Sequence, residues 1–266
     1  MSTIQPHSRN SWQVTYSVWR ALFLREFVSR MATRRFGWLW LFLEPILFVL
    51  VMIFVRYLLG RVRFIIGADF IPWLIVGLMT FFMFRNGLTR GMAAIDANRG
   101  LFAYRQVKPV DTVLVRGALE GVLMSVVLVV LVLGAAFFGH KILPDDGLRT
   151  LVVWLSVWLL GLGLGLIVSV GATLISEIGI VVRMMTLPLM LLSGVIIPVM
   201  WLPHSIQQYL LYNPVLHGLE SIRLGFFQDY HTLADINLLY LQLWGLSATA
   251  LGLVLHAYFA KRLLAK

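Results

Sequence analysis

The sequence predicts an all-α integral membrane protein with six transmembrane helices. Hydrophobic residues make up 60% of the 266 residues and charged residues only 13%, whereas a soluble domain carries about 25% charged residues. Six mostly apolar runs follow one another along the chain, and a helix needs about 20 such residues to cross a bilayer. These runs leave no room for a sizeable soluble domain.

Residues 1–36 are predicted to be a cytoplasmic leader that contains an amphipathic helix lying on the membrane. Over residues 17–35, helical spacing separates an apolar side from a mostly charged side, although Arg20 falls inside the apolar arc. Such a basic helix suits the surface of an anionic leaflet, and the alternative is a long basic leader to the first span. The two sides comprise Phe23, Leu24, Phe27, Val28 and Met31 against Arg25, Glu26, Ser29 and Arg30.

Residues 37–266 are predicted to form one six-span transmembrane domain. The fourth span carries Gly161, Gly163 and Gly165, and such small residues allow neighbouring helices to approach closely. The predicted spans are 38–59, 70–84, 113–138, 148–174, 184–200 and 236–259.

The basic residues predict that both termini face the cytoplasm. With that orientation, sixteen lysines and arginines lie on the cytoplasmic side and six on the other side, as the positive-inside rule requires. This distribution explains the net charge of +10 as topology, not as nucleic-acid binding.

Residues 91–112 are predicted to be a cytoplasmic coupling segment between the second and third spans. The stretch from Gly91 to Arg116 is polar and basic, and long apolar runs flank it. It cannot cross hydrocarbon, so it is a natural docking site for a soluble partner. The alternative is a solvated loop that rests on lipid headgroups.

Residues 201–232 are predicted to form external re-entrant helices before the last span, because they are too polar and too broken to cross a bilayer. Within them, His217, Glu220 and Arg223 share one helical face. A metal site would need further ligands, so this trio indicates an ion-pair and hydrogen-bond network.

No catalytic group or metal site can be assigned from the sequence. A phosphate-binding loop requires a lysine after a glycine, and none of the four lysines follows one. ATP would therefore have to be bound by another polypeptide. Glu44 lies in the first span, where it indicates either an interfacial salt bridge with Arg34 or Arg35, or a polar passage between subunits.

Three motifs resemble a known family. They are Arg35–Trp40 (RFGWLW) followed by Leu43-Glu44-Pro45, then Ala97–Asp111 (ANRGLFAYRQVKPVD), and Asn213–Glu220 (NPVLHGLE) followed by Arg223. Together they resemble the membrane subunits of capsular polysaccharide ABC exporters of the KpsM type. The first motif is shared more widely with O-antigen and teichoic acid exporters.

The resemblance implies the permease subunit of an ATP-driven exporter in a bacterial inner membrane, and not an enzyme. Two copies would form a homodimer whose interface is the conduit for a lipid-linked, often acidic polysaccharide. Two copies of a separate ATPase subunit would bind ATP and Mg. A periplasmic co-polymerase or adaptor and outer-membrane export proteins would complete the path. The alternatives are export of another lipid-linked glycan, such as O-antigen or teichoic acid, or an intramembrane lipid-modifying enzyme.

Four sets of residues become candidate sites. Coupling to the ATPase is assigned by resemblance. The aromatic residues could stack on sugar rings along a conduit, or they form interfacial belts and packing contacts. The exit network follows from the polar pattern, and three external arginines could attract an acidic glycan or anchor to lipid phosphates. The coupling set is Asp96, Asn98, Arg99, Leu101, Phe102, Tyr104 and Arg105; the conduit set is Trp38, Trp40, Phe42, Glu44, Trp201 and Tyr212; the exit set is His217, Glu220 and Arg223; the external set is Arg56, Arg61 and Arg63.

Overall fold

A computed structural model describes residues 11–32, 37–58, 65 and 67–265. All regular secondary structure in this part of the chain is helical, so the predicted all-α class is confirmed. The helices are α1 (Ser11–Ala32), α2 (Gly37–Leu58), α3 (Phe70–Met92), α4 (Ala94–Ala97), α5 (Pro109–Phe137), α6 (Gly147–Leu174), α7 (Ser176–Leu192), α8 (His204–Leu210), α9 (Pro214–Phe226), α10 (Leu238–Tyr258) and α11 (Ala260–Ala265), with 3-10 turns at Arg99–Leu101 and Val199–Trp201.

Four helices, α3, α5, α6 and α10, are long and apolar enough to cross a membrane. They correspond to the second, third, fourth and sixth predicted spans. In α2 the apolar stretch is shorter, Leu39–Val55, and α7 has only 17 residues. The described part of the chain therefore contains four helices of full spanning length and two shorter apolar ones.

Two helix boundaries differ from the predicted spans. α3 continues for two turns beyond Phe84 to Met92, so Arg85 and Arg90 lie on a helix rather than beyond its end. α7 begins at Ser176 and ends at Leu192, so it starts and ends eight residues before the predicted fifth span at 184–200. The chain leaves α7 through Gly194, whose φ of 72° is a conformation that favours glycine and ends helices.

The core is built around α3, which is buried along almost its whole length between α5, α6 and α9. α3 and α6 touch through backbone atoms. A Cβ added at Gly161 would lie 2.8 Å from the Phe84 carbonyl oxygen, and one at Gly165 would lie 2.7 Å from the Gly87 carbonyl oxygen. On the same helix, Gly163 lies against Thr249 of α10. The glycines of the fourth span therefore do form a packing face.

α9 packs against α3, α6 and α10 and is buried along most of its length. α8, which precedes it, is exposed apart from Leu210. The segment before the last span thus consists of one inserted helix and one peripheral helix.

Gly161→Ala should lower the free energy of unfolding by about 1–3 kcal/mol, because its methyl group would meet backbone atoms of α3 that cannot move aside. Gly134→Ala is the matched control, since no heavy atom lies within 4 Å of its added Cβ. Thermal unfolding of the two detergent-solubilised variants, followed by circular dichroism, makes the comparison. Equal midpoints would contradict a close α3–α6 contact.

Candidate functional site

A cavity of about 440 Å³ lies between α1, α2, α3 and α5, at the end of α3 that leads into the coupling segment. Its walls carry six charged side chains in addition to Trp40 and Phe82. α1 contributes two of these charges, α2 and α3 one each, and α5 two: Glu26, Arg30, Glu44, Arg90, Arg116 and Glu120. We refer to this site as the charged cavity.

Ion pairs across the charged cavity join α1 to α5. Arg116 donates to Glu26 Oε1 from Nη2 at 2.7 Å, and Arg30 contacts Glu120. Glu120 also lies 3.3 Å from Arg90 Nε and is only 1% exposed. One buried carboxylate therefore serves two guanidinium groups.

Arginines outnumber glutamates around the charged cavity. Beside the pairs described above, Arg85 of α3 donates to Glu44 Oε1 at 2.6 Å, so four arginines face three glutamates. Burial, followed by the positive charges of Arg90 and Arg116, lowers the pKa of Arg30 to about 9. The group as a whole would be stabilised by an additional anion.

The predicted conduit residues are not gathered in one place. Trp40 and Glu44 line the charged cavity, and Phe42 packs partly buried against the core. Trp201 and Tyr212 are exposed and flank α8, away from the charged cavity. The Trp38 side chain lies outside the described part of the structure.

The external arginine set cannot be located. Arg61 and Arg63 lie outside the described residues, and so does the side chain of Arg56.

The coupling segment folds as α4, a 3-10 turn and a series of turns up to residue 106. The coupling helix that the resemblance implies for residues 96–105 is therefore not one continuous helix. Ala94 and Ile95 anchor it in the interior. Gly100, which has a low helix propensity, lies just after the end of α4 at Ala97. On the outer side Asp96 pairs with Arg99 at 2.9 Å, while Tyr104 is 67% exposed.

The remaining members of the coupling set differ in accessibility. Arg105 is exposed, whereas Leu101 and Phe102 are half-buried. Asn98 is only 3% exposed. It donates to Ala94 O at 2.7 Å and to Glu26 Oε1 at 3.2 Å. Asn98 is thus placed to hold the segment against α1, and not on the surface that a partner would touch.

A second contact fixes α1 to the start of α5. Trp19 donates from Nε1 to Asp111 Oδ1 at 2.9 Å, and Asp111 Oδ2 accepts from the backbone N–H of Lys108 at 3.0 Å. This carboxylate caps the helix and stabilises its N-terminus. α1 is therefore attached at both ends of the coupling segment.

In α9, Glu220 and Arg223 form an ion pair. Arg223 donates from Nη1 to Glu220 Oε1 at 2.7 Å, and its guanidinium stacks 3.5 Å above the Trp73 ring of α3. Further donors, Tyr230 and Thr232, reach Glu220 Oε2 at 2.8 and 2.6 Å. Burial, followed by the charge of Glu220, raises the pKa of Tyr230, so it remains a protonated donor.

His217 has a separate role from Glu220. Its Nδ1 accepts from the backbone N–H of Asn237 at 3.0 Å, so its Nε2 donates to Leu211 O at 2.8 Å. This histidine joins the end of α8 to the start of α10. Both ring nitrogens are thus occupied by backbone groups. Within the described part of the chain, no group of three or more potential metal ligands is assembled.

With the fold and cavity established, comparison with known proteins places the chain in a family. A family model described as ABC-2 type transporter matches residues 17–227. The chain belongs to the ABC-2 type transporter family. This confirms the expectation of a transport subunit rather than an enzyme.

Relatives within the ABC-2 family match over almost the whole chain. The polysialic acid transport protein KpsM of Escherichia coli is 32% identical over 250 residues, which cover 94% of this chain and 96% of the relative. The capsule polysaccharide export inner-membrane protein CtrC of Neisseria meningitidis serogroup A is 32% identical over 241 residues, with coverage of 91% and 90%. BexB of Haemophilus influenzae, named likewise, is 27% identical over 253 residues, with 95% coverage of each chain. The resemblance to capsular polysaccharide exporters is therefore confirmed.

Several residues of this ABC-2 subunit could not be assigned to a site from the sequence. Glu26 and Arg116 are 90 residues apart, as are Arg30 and Glu120. The only signal of this site in the local sequence was Glu120, because a carboxylate inside an apolar span requires a partner.

Glu220→Gln should lower the free energy of unfolding by about 3–5 kcal/mol, because it leaves the fully buried Arg223 guanidinium uncompensated. Asp96→Asn is a matched control, since it breaks an exposed carboxylate–arginine pair of the same i,i+3 spacing. Its effect should be about 0–1 kcal/mol. Thermal unfolding in detergent measures both, and similar losses would contradict the role of burial.

Proposed function

We propose that this chain is the membrane subunit of an ATP-driven exporter that moves capsular polysaccharide across a bacterial inner membrane. The observation that carries the proposal is the near full-length similarity to relatives named for polysialic acid transport and capsule polysaccharide export. The charged cavity and the coupling segment, which lie at the same end of α3, support it. The polymer would be lipid-linked, as the family resemblance implies, and acidic, like the polysialic acid for which one relative is named.

The proposed membrane arrangement has six spans, with both termini in the cytoplasm. In addition to the four long apolar helices, α2 and α7 would cross as shorter spans, which tilting or local thinning of the bilayer accommodates. The arrangement would place the coupling segment and charged cavity at the cytoplasmic side. The distribution of lysines and arginines along the sequence supports this orientation. α8 and α9 would then lie at the external side as re-entrant helices.

The proposed conduit lies between two copies of the chain. In α7 only Gly179 and Met190 are buried, and large apolar side chains of α2, including Leu50 and Phe54, are exposed. A second copy packed on this side would cover such faces. The proposed dimer would bring together two charged cavities, with Trp40 and Glu44 of each copy beside the path.

ATP binding is assigned to a separate ATPase subunit, two copies of which would carry ATP and Mg, because the sequence has no phosphate-binding loop. Its docking surface would be the outer side of the coupling segment. There Tyr104 is an exposed aromatic side chain, and the Asp96–Arg99 pair and Arg105 supply charge. The half-buried Leu101 and Phe102 would complete it.

The proposed coupling works through the attachments of this segment. It continues directly from α3 and leads into α5, and Asn98 joins it to Glu26 of α1. Glu26 in turn pairs with Arg116 in the charged cavity. Movement of the segment by the ATPase would therefore shift three of the four helices that surround the cavity. Such a shift is a two-state change driven by a ligand on another chain.

The remaining partners follow from the proposed role in capsule export. A periplasmic co-polymerase or adaptor and outer-membrane export proteins would receive the polymer on the external side. Arg56, Arg61 and Arg63 would attract an acidic polymer there.

The triple variant Leu101→Ala/Phe102→Ala/Tyr104→Ala should weaken association with the ATPase subunit and reduce coupled ATP hydrolysis, because it removes apolar contact area from the docking surface. Ile206→Ala/Tyr209→Ala/Tyr212→Ala removes comparable exposed side chains around α8 and should retain both properties. Co-purification and ATPase activity of the reconstituted complex measure the two effects. Full association of the first variant with the ATPase subunit would contradict a docking site on the coupling segment.

Arg90→Gln should reduce export of an acidic polymer more than of a neutral one, because it removes one of the three arginines that line the cavity and leaves its three glutamates in excess. Arg149→Gln, which removes a charge outside the charged cavity, is the control. Cells that lack the native gene are complemented with each variant, and surface and intracellular polymer are quantified.

The same assay on Arg56→Gln/Arg61→Gln/Arg63→Gln tests the external set. For either set, equal loss of both polymers would contradict attraction by charge.

A further inference from the structure

A second cavity, of about 670 Å³, lies between residues 102–110 and the end of α10 with α11. It is separate from the charged cavity in its lining residues. Much of its wall is apolar and comes from Leu253, Ala257, Ala260 and Leu264. Leu253 and Leu264 are exposed to the surroundings, so this wall is continuous with the outer apolar surface of α10.

The rim of this second cavity is basic. Arg105 and Lys108 line it and are exposed. Among the residues that the structure describes, no carboxylate forms an ion pair with either side chain. Lys261 and Arg262 of α11 add two positive charges to the same end of the molecule. The cavity therefore combines an apolar wall with unneutralised positive charge.

The interior of the second cavity contains a buried imidazole with a free acceptor. His256 is only 4% exposed and lines the cavity. Its Nε2 lies 3.0 Å from Ser169 Oγ, and that hydroxyl donates its proton to Leu166 O at 2.8 Å. Nε2 therefore carries the proton and Nδ1 is an acceptor. Within the described residues Nδ1 has no hydrogen-bond partner, an arrangement that is costly unless a donor from outside the chain completes it.

We propose that the second cavity binds an anionic phospholipid with a hydroxylated headgroup from the cytoplasmic leaflet. The phosphate is held by Arg105 and Lys108, a headgroup hydroxyl donates to His256 Nδ1, and an acyl chain lies along Leu253 and Leu264. Basic pockets between membrane helices on the cytoplasmic side are suited to anionic lipids. Continuity with the outer surface of α10 favours a lipid over a protein segment.

A lipid bound at this site would restrict movement of the coupling segment. Phe102, Arg105 and Lys108 belong to the coupling segment, and the opposite wall belongs to α10 and α11. A bound lipid joins these two parts. The proposal requires only the membrane orientation given above, and holds whichever glycan is exported.

The test is native mass spectrometry of the purified full chain, equilibrated with equal amounts of phosphatidylglycerol, phosphatidylcholine and phosphatidylmethanol with identical acyl chains. We expect phosphatidylglycerol to be retained preferentially. Arg105→Gln/Lys108→Gln should lower its retention by about thirtyfold, as expected for two basic residues near a lipid phosphate. Arg99→Gln/Arg149→Gln, which removes two charges outside the cavity, should leave the preference unchanged.

Two further variants test the location of the site and leave the charged residues at its rim unchanged. Ala257→Trp fills the cavity and should reduce retention of every lipid. His256→Phe should abolish the preference for phosphatidylglycerol over phosphatidylmethanol, which has the same charge but no headgroup hydroxyl. Circular dichroism verifies that each variant folds.

Three results would overturn the proposal. They are equal retention of phosphatidylglycerol and phosphatidylcholine by the unaltered chain, equal behaviour of the Arg105/Lys108 variant and its control, and unchanged retention by Ala257→Trp. If the Arg105/Lys108 variant binds lipid normally but loses the ATPase subunit, the surface is a protein docking site. Equal retention of phosphatidylglycerol and phosphatidylmethanol by the unaltered chain would exclude the hydroxylated headgroup and the role of His256.

Discussion

The structure depends on the backbone contact between α3 and α6. In a bilayer, apolar side chains gain little by leaving lipid for a neighbouring helix, so close packing of small residues must provide the association. Gly87 of α3 and Gly161 and Gly165 of α6 allow this approach. It fixes α3 as the central helix of the bundle, with Trp73 near one end and Arg90 near the other. The Glu220–Arg223 ion pair, the charged cavity and the coupling segment are therefore positioned by one helix.

Charge inside this apolar bundle takes two different forms. The Glu220–Arg223 pair is completely enclosed. Tyr230, Thr232 and backbone carbonyls supply further hydrogen bonds, and Arg223 Nε has no hydrogen-bond partner among the described residues. Such a closed network specifies one packing arrangement. The charged cavity is open, and one carboxylate, Glu120, is shared between two arginines. Under the proposed function, these pairs would exchange when an anionic substrate enters and when the coupling segment moves.

The sequence was sufficient to predict features that depend on short-range patterns. The all-α class, the four long apolar helices and the Glu220–Arg223 pair follow from hydropathy and helical spacing, and the family match confirmed the resemblance. Features that depend on contacts between distant segments were not predictable. Glu26 and Arg116, which form an ion pair, are 90 residues apart in the sequence. The Asn98 side chain points inward because it donates to Glu26 of α1. Likewise, α7 begins at Ser176 and includes the charged residues Glu177 and Arg183. Apolar content alone did not indicate that the helix would begin before these residues.

The central claim is that a coupling segment attached to α3 transmits the action of the ATPase. Its most direct test is a distance between the two copies of the chain in the proposed dimer. The sequence has no cysteine, so Gln106→Cys provides one exposed labelling site per copy. Double electron–electron resonance is recorded on the reconstituted complex with its ATPase subunit, without nucleotide and with a non-hydrolysable ATP analogue. The account predicts that the analogue shifts the distance distribution. An unchanged distribution in a complex that hydrolyses ATP would contradict it.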